Sequence, residues 1–267
     1  MKRPPAVAGQ FYDGNPIKLS AQVNKYIVDE SPKEKAIGIM SPHAGLIYSG
    51  SVAGAVFSSI EFPETFILLG PNHTGLGSDI SIISSGSWEV PTGTFKIDSD
   101  FAGKLLAKTS KVSENAQAHA YEHSLEVQLP FIAHFSSSVK IVPIAVMRAE
   151  LSDCKALGLA LAECIRETNH SVVVVASSDM SHYVSDEAAR RLDGLALKEM
   201  LNLNPEGLYS TVAKNRISMC GILPATIMLY ATLALGAKEA KLVKYATSGE
   251  VNGDFSHVVG YAGVIVK

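Results

Sequence analysis

The stretch Ala36-Ile37-Gly38-Ile39-Met40-Ser41-Pro42-His43-Ala44-Gly45 decides the fold class. Its first half is a short apolar run, the pattern of a strand buried on both faces, and its second half is a loop in which Pro42 and Gly45 bracket a histidine. The small-residue segment from Ser49 to Ile60 then reads as a helix. Strand, loop and helix in that order are the unit of an α/β sheet, where ligands bind beyond the carboxyl ends of the strands. The strand and its histidine loop recur. Thr65-Phe66-Ile67-Leu68-Leu69-Gly70 runs into Pro71-Asn72-His73-Thr74-Gly75, and Ser171-Val172-Val173-Val174-Val175-Ala176 runs into Ser177-Ser178-Asp179-Met180-Ser181-His182-Tyr183. If these strands are parallel, His43, His73 and His182 meet at one edge of the sheet.

Outward from these units, apolar spacing predicts a helix over 16–30, with Asn15 as its cap and Pro16 in its first turn. Further helices are expected over 99–108 behind Asp98 or Ser99, over 123–135 with Pro130 tolerated only in a first turn, and over 152–168 capped by Ser152. Three more span 186–203, 205–214 and 221–235, the last stopped by Gly236. Strands are expected over 80–83, 87–97 (broken at Pro91-Thr92-Gly93), 139–147, 241–248 and 257–266, with a polar loop over 113–121. No repeat, low-complexity tract or linker interrupts the chain. The expected fold is therefore α/β, one domain over 1–267 with a central mixed β-sheet flanked by helices.

The 267 residues are 47% hydrophobic and 18% charged, the balance of a globular protein with a sizeable core. The net charge of -3, with scattered basic residues, lacks the electrostatic footprint of a nucleic-acid binder. Three cysteines, an odd number without framework spacing, point to a reducing compartment. The N-terminal residues have no continuous apolar core of a signal peptide, and the apolar run from Gly221 to Gly236 is shorter than the roughly 18 residues that suggest a membrane span. A soluble cytoplasmic protein is expected, with neither nucleic acid nor membrane as partner.

A loop histidine is commonly a surface residue, but three at one topological position reinforce one another. Cys220 precedes the apolar helix, where the positive end of the dipole favours thiolate; the competing reading is a buried small hydrophobe, which suits Cys154 and Cys164 better. Imidazoles and a thiolate suit zinc, iron and copper, and a three-ligand site leaves room for water or substrate. In Asp179-x-x-His182, Asp179 can orient an imidazole and His182 can move a proton. Glu122-His123-Ser124-Leu125-Glu126 is accounted for by a solvated helix N-terminus, with His123 alone having a functional alternative as donor to an oxygen ligand. No serine stands in a G-x-S-x-G elbow, and no glycine loop has a phosphate-binding pattern.

Six segments together, Ala8-Gly9-Gln10-Phe11-Tyr12, Ser41 to Gly45, Gly70 to His73, Glu122 to Glu126, Ser177 to His182 and Met219-Cys220-Gly221, resemble the Memo family, also called AmmeMemoRadiSam system protein B. That family is similar in fold to the class III extradiol ring-cleaving dioxygenases, which implies a mixed sheet with a pocket at one end. By this resemblance His43 and His73 match two histidine ligands of a non-haem iron and His182 matches an acid/base histidine. The chain departs from the dioxygenases at the third ligand, where a carboxylate gives way to Cys220, a softer and more oxidisable donor. The resemblance thus implies a redox-active protein holding a divalent transition metal, iron or copper before zinc, on His43, His73 and Cys220. His182, Asp179 and His123 would handle protons on a small-molecule or peptide substrate. A scaffold that binds a peptide or ligand in a vestigial pocket and a zinc-dependent hydrolase are the two rival readings. The family's name further implies a functional link with a radical-SAM protein.

Overall fold

The computed structural model describes residues 2–28 and 32–267. Among these residues the main sheet has nine strands. In spatial order these are His182–Val184, Val258–Val266, Gly38–Ser41, Val172–Ser177, Thr65–Pro71, Lys140–Val146, Ile80–Ile82 and Ser113–Glu114, with Ala240–Thr247 also paired to Val258–Val266. The four central strands are parallel, and antiparallel neighbours flank them on both sides. A small second sheet joins Lys2–Arg3 to the hairpin Ser87–Val90 and Gly93–Lys96.

Parallel strands covered on both faces read as nearly continuous apolar runs, and alternate residues sort to opposite sides. Ile39, Phe66, Leu68, Val173 and Val175 face the helices Pro16–Asn24, Leu46–Ser58 and Leu129–Phe135. Met40, Ile67, Leu69, Val174 and Ala176 face the opposite layer, made by Ser99–Lys108, Leu151–Arg166, Asp186–Leu201, Pro205–Asn215 and Ile222–Ala234. One sheet between two helical layers is the expected mixed α/β architecture, and the strands that carry His43 and His73 lie at its centre.

Several boundaries differ from expectation for local reasons. The first helix starts as predicted, with Asn15 Oδ1 accepting from the Ile17 and Lys18 N–H groups, but it ends at Asn24; Glu30, its expected end, lies outside the described residues. The helix after His43 starts at Leu46, before Ser49. The predicted helix over 123–135 is divided into an irregular turn, a 3-10 turn at Glu126–Gln128 and the helix Leu129–Phe135, with Pro130 in its first turn. Glu150 rather than Ser152 caps the following helix, its N–H donating to Asp153 Oδ2 at 3.1 Å. The polar loop over 113–121 contains the strand Ser113–Glu114 and the short helix Gln117–Ala120, and His182 opens a short strand instead of lying in a loop.

Candidate metal centre

The parallel order puts the ends of Gly38–Ser41, Thr65–Pro71 and Val172–Ser177 at one edge of the sheet, and the segment 122–128 ties them together. Ser124 Oγ donates to the Pro71 carbonyl at 2.8 Å, and Ser177 Oγ donates to the Ser124 carbonyl at 2.6 Å. Gln128 Nε2 donates both to the Pro42 carbonyl and to Ser177 Oγ. These bonds hold three loops that strand pairing alone would leave independent. Two glycines make the fit possible. A Cβ on Gly70 would lie 2.6 Å from Ser124 Oγ, and one on Gly221 would lie 2.4 Å from the Ser177 carbonyl oxygen.

The ligand atoms of His43, His73 and His123 all lie within 4.8 Å of one another. Two hydrogen-bond chains fix which ring nitrogens are free. The single Ser177 hydroxyl proton is spent on the Ser124 carbonyl, so Ser177 Oγ accepts from His43 Nδ1 at 2.9 Å. His43 therefore carries its lone pair on Nε2. His73 Nδ1 donates to Glu122 Oε1 at 2.9 Å, which likewise leaves Nε2 free, the carboxylate–histidine arrangement that orients metal ligands.

Glu122 is fully buried and also accepts from the backbone N–H groups of His73, His123 and Ser124. Burial pushes its carboxyl up, but the hydrogen bond and charge of His73, the Ser124 N–H and the charge of His123 outweigh it and hold the group down at about 2. Burial, reinforced by the neighbouring histidines His123, His73 and His182, keeps His43 well below the ordinary histidine range. His123 is lowered to about 4, first by burial and against the pull of Glu122. His43 and His123 are thus neutral near pH 7, the form that binds metal.

Cys220 lies outside the three-imidazole group but against His43, its Sγ 3.3 Å from His43 Nε2. Two ligands of one ion, an imidazole at about 2.0 Å and a thiolate at about 2.3 Å, would lie about 3.5 Å apart at a tetrahedral angle. The observed spacing matches that separation. The helix beginning at Ile222 does not make the thiol acidic as expected: burial and the Asp179 carboxylate push it upward, against the Asp179 N–H that donates to Sγ. Asp179 Oδ1 accepts from the N–H groups of His43 and Ala44, so it orients the His43 backbone and not its ring. Burial raises the Asp179 carboxyl to about 6, although the His43 N–H and the charge of His182 pull it down. His182 lies outside the imidazole group; its Nδ1 donates to the Ser218 carbonyl at 2.9 Å, leaving Nε2 free to accept a proton.

The structure therefore brings His43, His73 and His123 together, with Cys220 in contact with His43 and Asp179 beneath the His43 loop. Glu122, Ser124, Ser177 and Gln128 are the supporting residues that sequence reasoning passed over. Glu122, Ser124, Glu126 and Gln128 are all fully buried, so segment 122–128 is not a solvated helix start. The available signal was its alternation: polar Glu122, Ser124, Glu126 and Gln128 interleave with Leu125, Val127 and Leu129, a period of two that no exposed helix requires.

The family model described as "Memo-like protein" matches residues 3–265. A MEMO1 family protein of Aquifex aeolicus is 43% identical over 266 residues, covering 98% of each chain. One of Methanocaldococcus jannaschii is 40% identical over 284 residues, covering 99% of each. Among solved structures, an uncharacterized protein of Escherichia coli K12 superimposes with a TM-score of 0.59 at 12% identity, covering 86% of this chain and all of the other, a likeness of fold alone.

Proposed function

The chain belongs to the Memo family, and from that premise we propose that it is a metal-binding, redox-active protein whose His43, His73 and Cys220 hold iron or copper. The observation that supports this reading is the approach of the His43 and His73 donor atoms at the carboxyl edge of a parallel sheet, with Cys220 Sγ 3.3 Å from His43 Nε2. The donor set fits such an ion: two imidazoles with Nε2 free, and a thiol at ligand-to-ligand spacing from one of them. A bound redox-active ion would supply one-electron chemistry on a substrate or on dioxygen.

The chain's own residues then divide the remaining work. Glu122 fixes the His73 ring, and Ser177 fixes His43. Cys220 would have to be deprotonated to hold the ion, so affinity is expected to rise with pH. His123, neutral and within the group, would be placed to hydrogen-bond a substrate oxygen, and His182 would take or return a proton at Nε2. Asp179 steadies the His43 loop through two backbone N–H groups.

Metal analysis of protein purified without added metal, repeated on His43→Ala and Cys220→Ser, tests the reading. Loss of iron or copper in both variants is expected; unchanged content in both would overturn it. Oxygen uptake after anaerobic loading with Fe(II) supports the redox assignment, whereas turnover of an ester only with Zn(II) would replace it with hydrolysis.

A further inference from the structure

The N-terminal segment 3–12 crosses from the small sheet to the metal centre and is fastened by one buried carboxylate. Glu126 is fully buried and accepts from Arg3 Nη1 at 2.6 Å, from the Ala6 N–H at 2.8 Å, from the Val7 N–H at 3.1 Å and from the Tyr12 hydroxyl. Arg3 and Tyr12 are themselves 4% and 3% exposed. Arg3 also donates to the carbonyls of His119 and Glu122 and lies 4.2 Å over the Trp88 ring. This is a costly set of buried polar groups, and the four bonds to Glu126 tie the segment to 122–128.

Between the fastened ends, Phe11 makes two contacts with the site. Its ring centroid lies 4.5 Å from that of His123, tilted at 41°, and the His73 ring stacks on His123 at the same 4.5 Å, at 23°. Its carbonyl accepts from the Leu46 N–H at 2.7 Å, the first free N–H of the helix that follows the His43 loop. One residue thus bears on both His123 and the His43 loop without being a donor to the centre.

We propose that segment 3–12 is a clamp on the metal centre, in which Glu126 anchors the segment and Phe11 acts as a positioning residue for His123 and the His43 loop. The inference rests on the metal-binding reading above. Outer residues that orient ligands change metal affinity about 10- to 100-fold when removed; the Phe11 side chain packs on His123 beside the ligands, so its loss falls at the low end of that range.

The test titrates metal-free protein with Co(II), reading affinity and visible bands, and separately records the His123 ring signals by NMR without metal. Phe11→Ala is expected to weaken Co(II) binding about 10-fold, to alter the bands and to move the His123 signals. Glu126→Gln should do the same, Phe11→Leu should restore part of the loss, and Gln10→Ala, exposed on the same segment, should change nothing. Wild-type affinity, bands and His123 signals in folded Phe11→Ala would overturn the clamp even if Glu126→Gln fails to fold. If the wild type binds no Co(II), the metal-binding reading falls, while the His123 signals still decide whether Phe11 positions that ring.

Discussion

Replacing Glu122 by glutamine changes one atom and removes one charge, so its cost can be worked from the hydrogen bonds. Oε1 accepts from His73 Nδ1, the His123 N–H and the Ser124 N–H, while Oε2 accepts from the His73 N–H. The amide can keep an oxygen on the three-donor side only by turning its NH2 toward the His73 N–H. One buried donor then loses its acceptor, at about 1–3 kcal/mol. The His73 Nδ1 bond also falls from charge-assisted to neutral, roughly halving its strength. Together the change should cost about 2–4 kcal/mol of stability. It should also weaken metal binding about 10-fold, because the bond that orients His73 loses its charge assistance. Urea unfolding of the metal-free protein reads the first quantity and Co(II) titration the second. A variant that keeps the wild-type midpoint and affinity would refute the role given to this carboxylate.

Two further outcomes follow from groups outside the proposed ligand set. Burial, aided by the charge of Arg3, lowers His119 to about 4 from its ordinary 6.5, so the unfolded chain binds a proton there that the folded chain refuses. Its stabilising contribution is complete above pH 6.5 and is lost as the pH falls toward 4, by about 3 kcal/mol in all; His119→Phe should flatten that part of the stability curve in denaturation run from pH 7 to 4, and an unchanged slope would contradict the assignment. Gly260 lets the segment bearing Asp179 and His182 close down: its backbone pairs with Met180 and Ser181, and a Cβ there would lie 2.1 Å from Asp193 Oδ2, which is held by Ser181 and Tyr245. Gly260→Ala should cost about 3 kcal/mol in urea denaturation, and a loss below about 0.5 kcal/mol would show that this contact yields easily.

The sheet was legible because its central strands are apolar over their whole length: Thr65 to Leu69 and Val172 to Ala176 pair in parallel and open their loops on one edge. His43 and His73 were readable from that position alone. His123 was harder, since it sits in an irregular segment whose neighbours are polar but fully buried, and polarity without burial information suggests solvent. The N-terminal segment was opaque for a related reason. Its structure comes from Glu126, more than a hundred residues away, through bonds that no local pattern of propensity or spacing encodes.

The most direct measurement is a crystal structure of protein purified without added metal, with anomalous data collected at the iron, copper and zinc edges. One peak is expected at the iron or copper edge, within about 2.0–2.3 Å of His43 Nε2, His73 Nε2 and Cys220 Sγ. A peak bonded to neither His43 nor His73, or an ordered site that stays empty after soaking with iron and copper, would contradict the metal-binding reading.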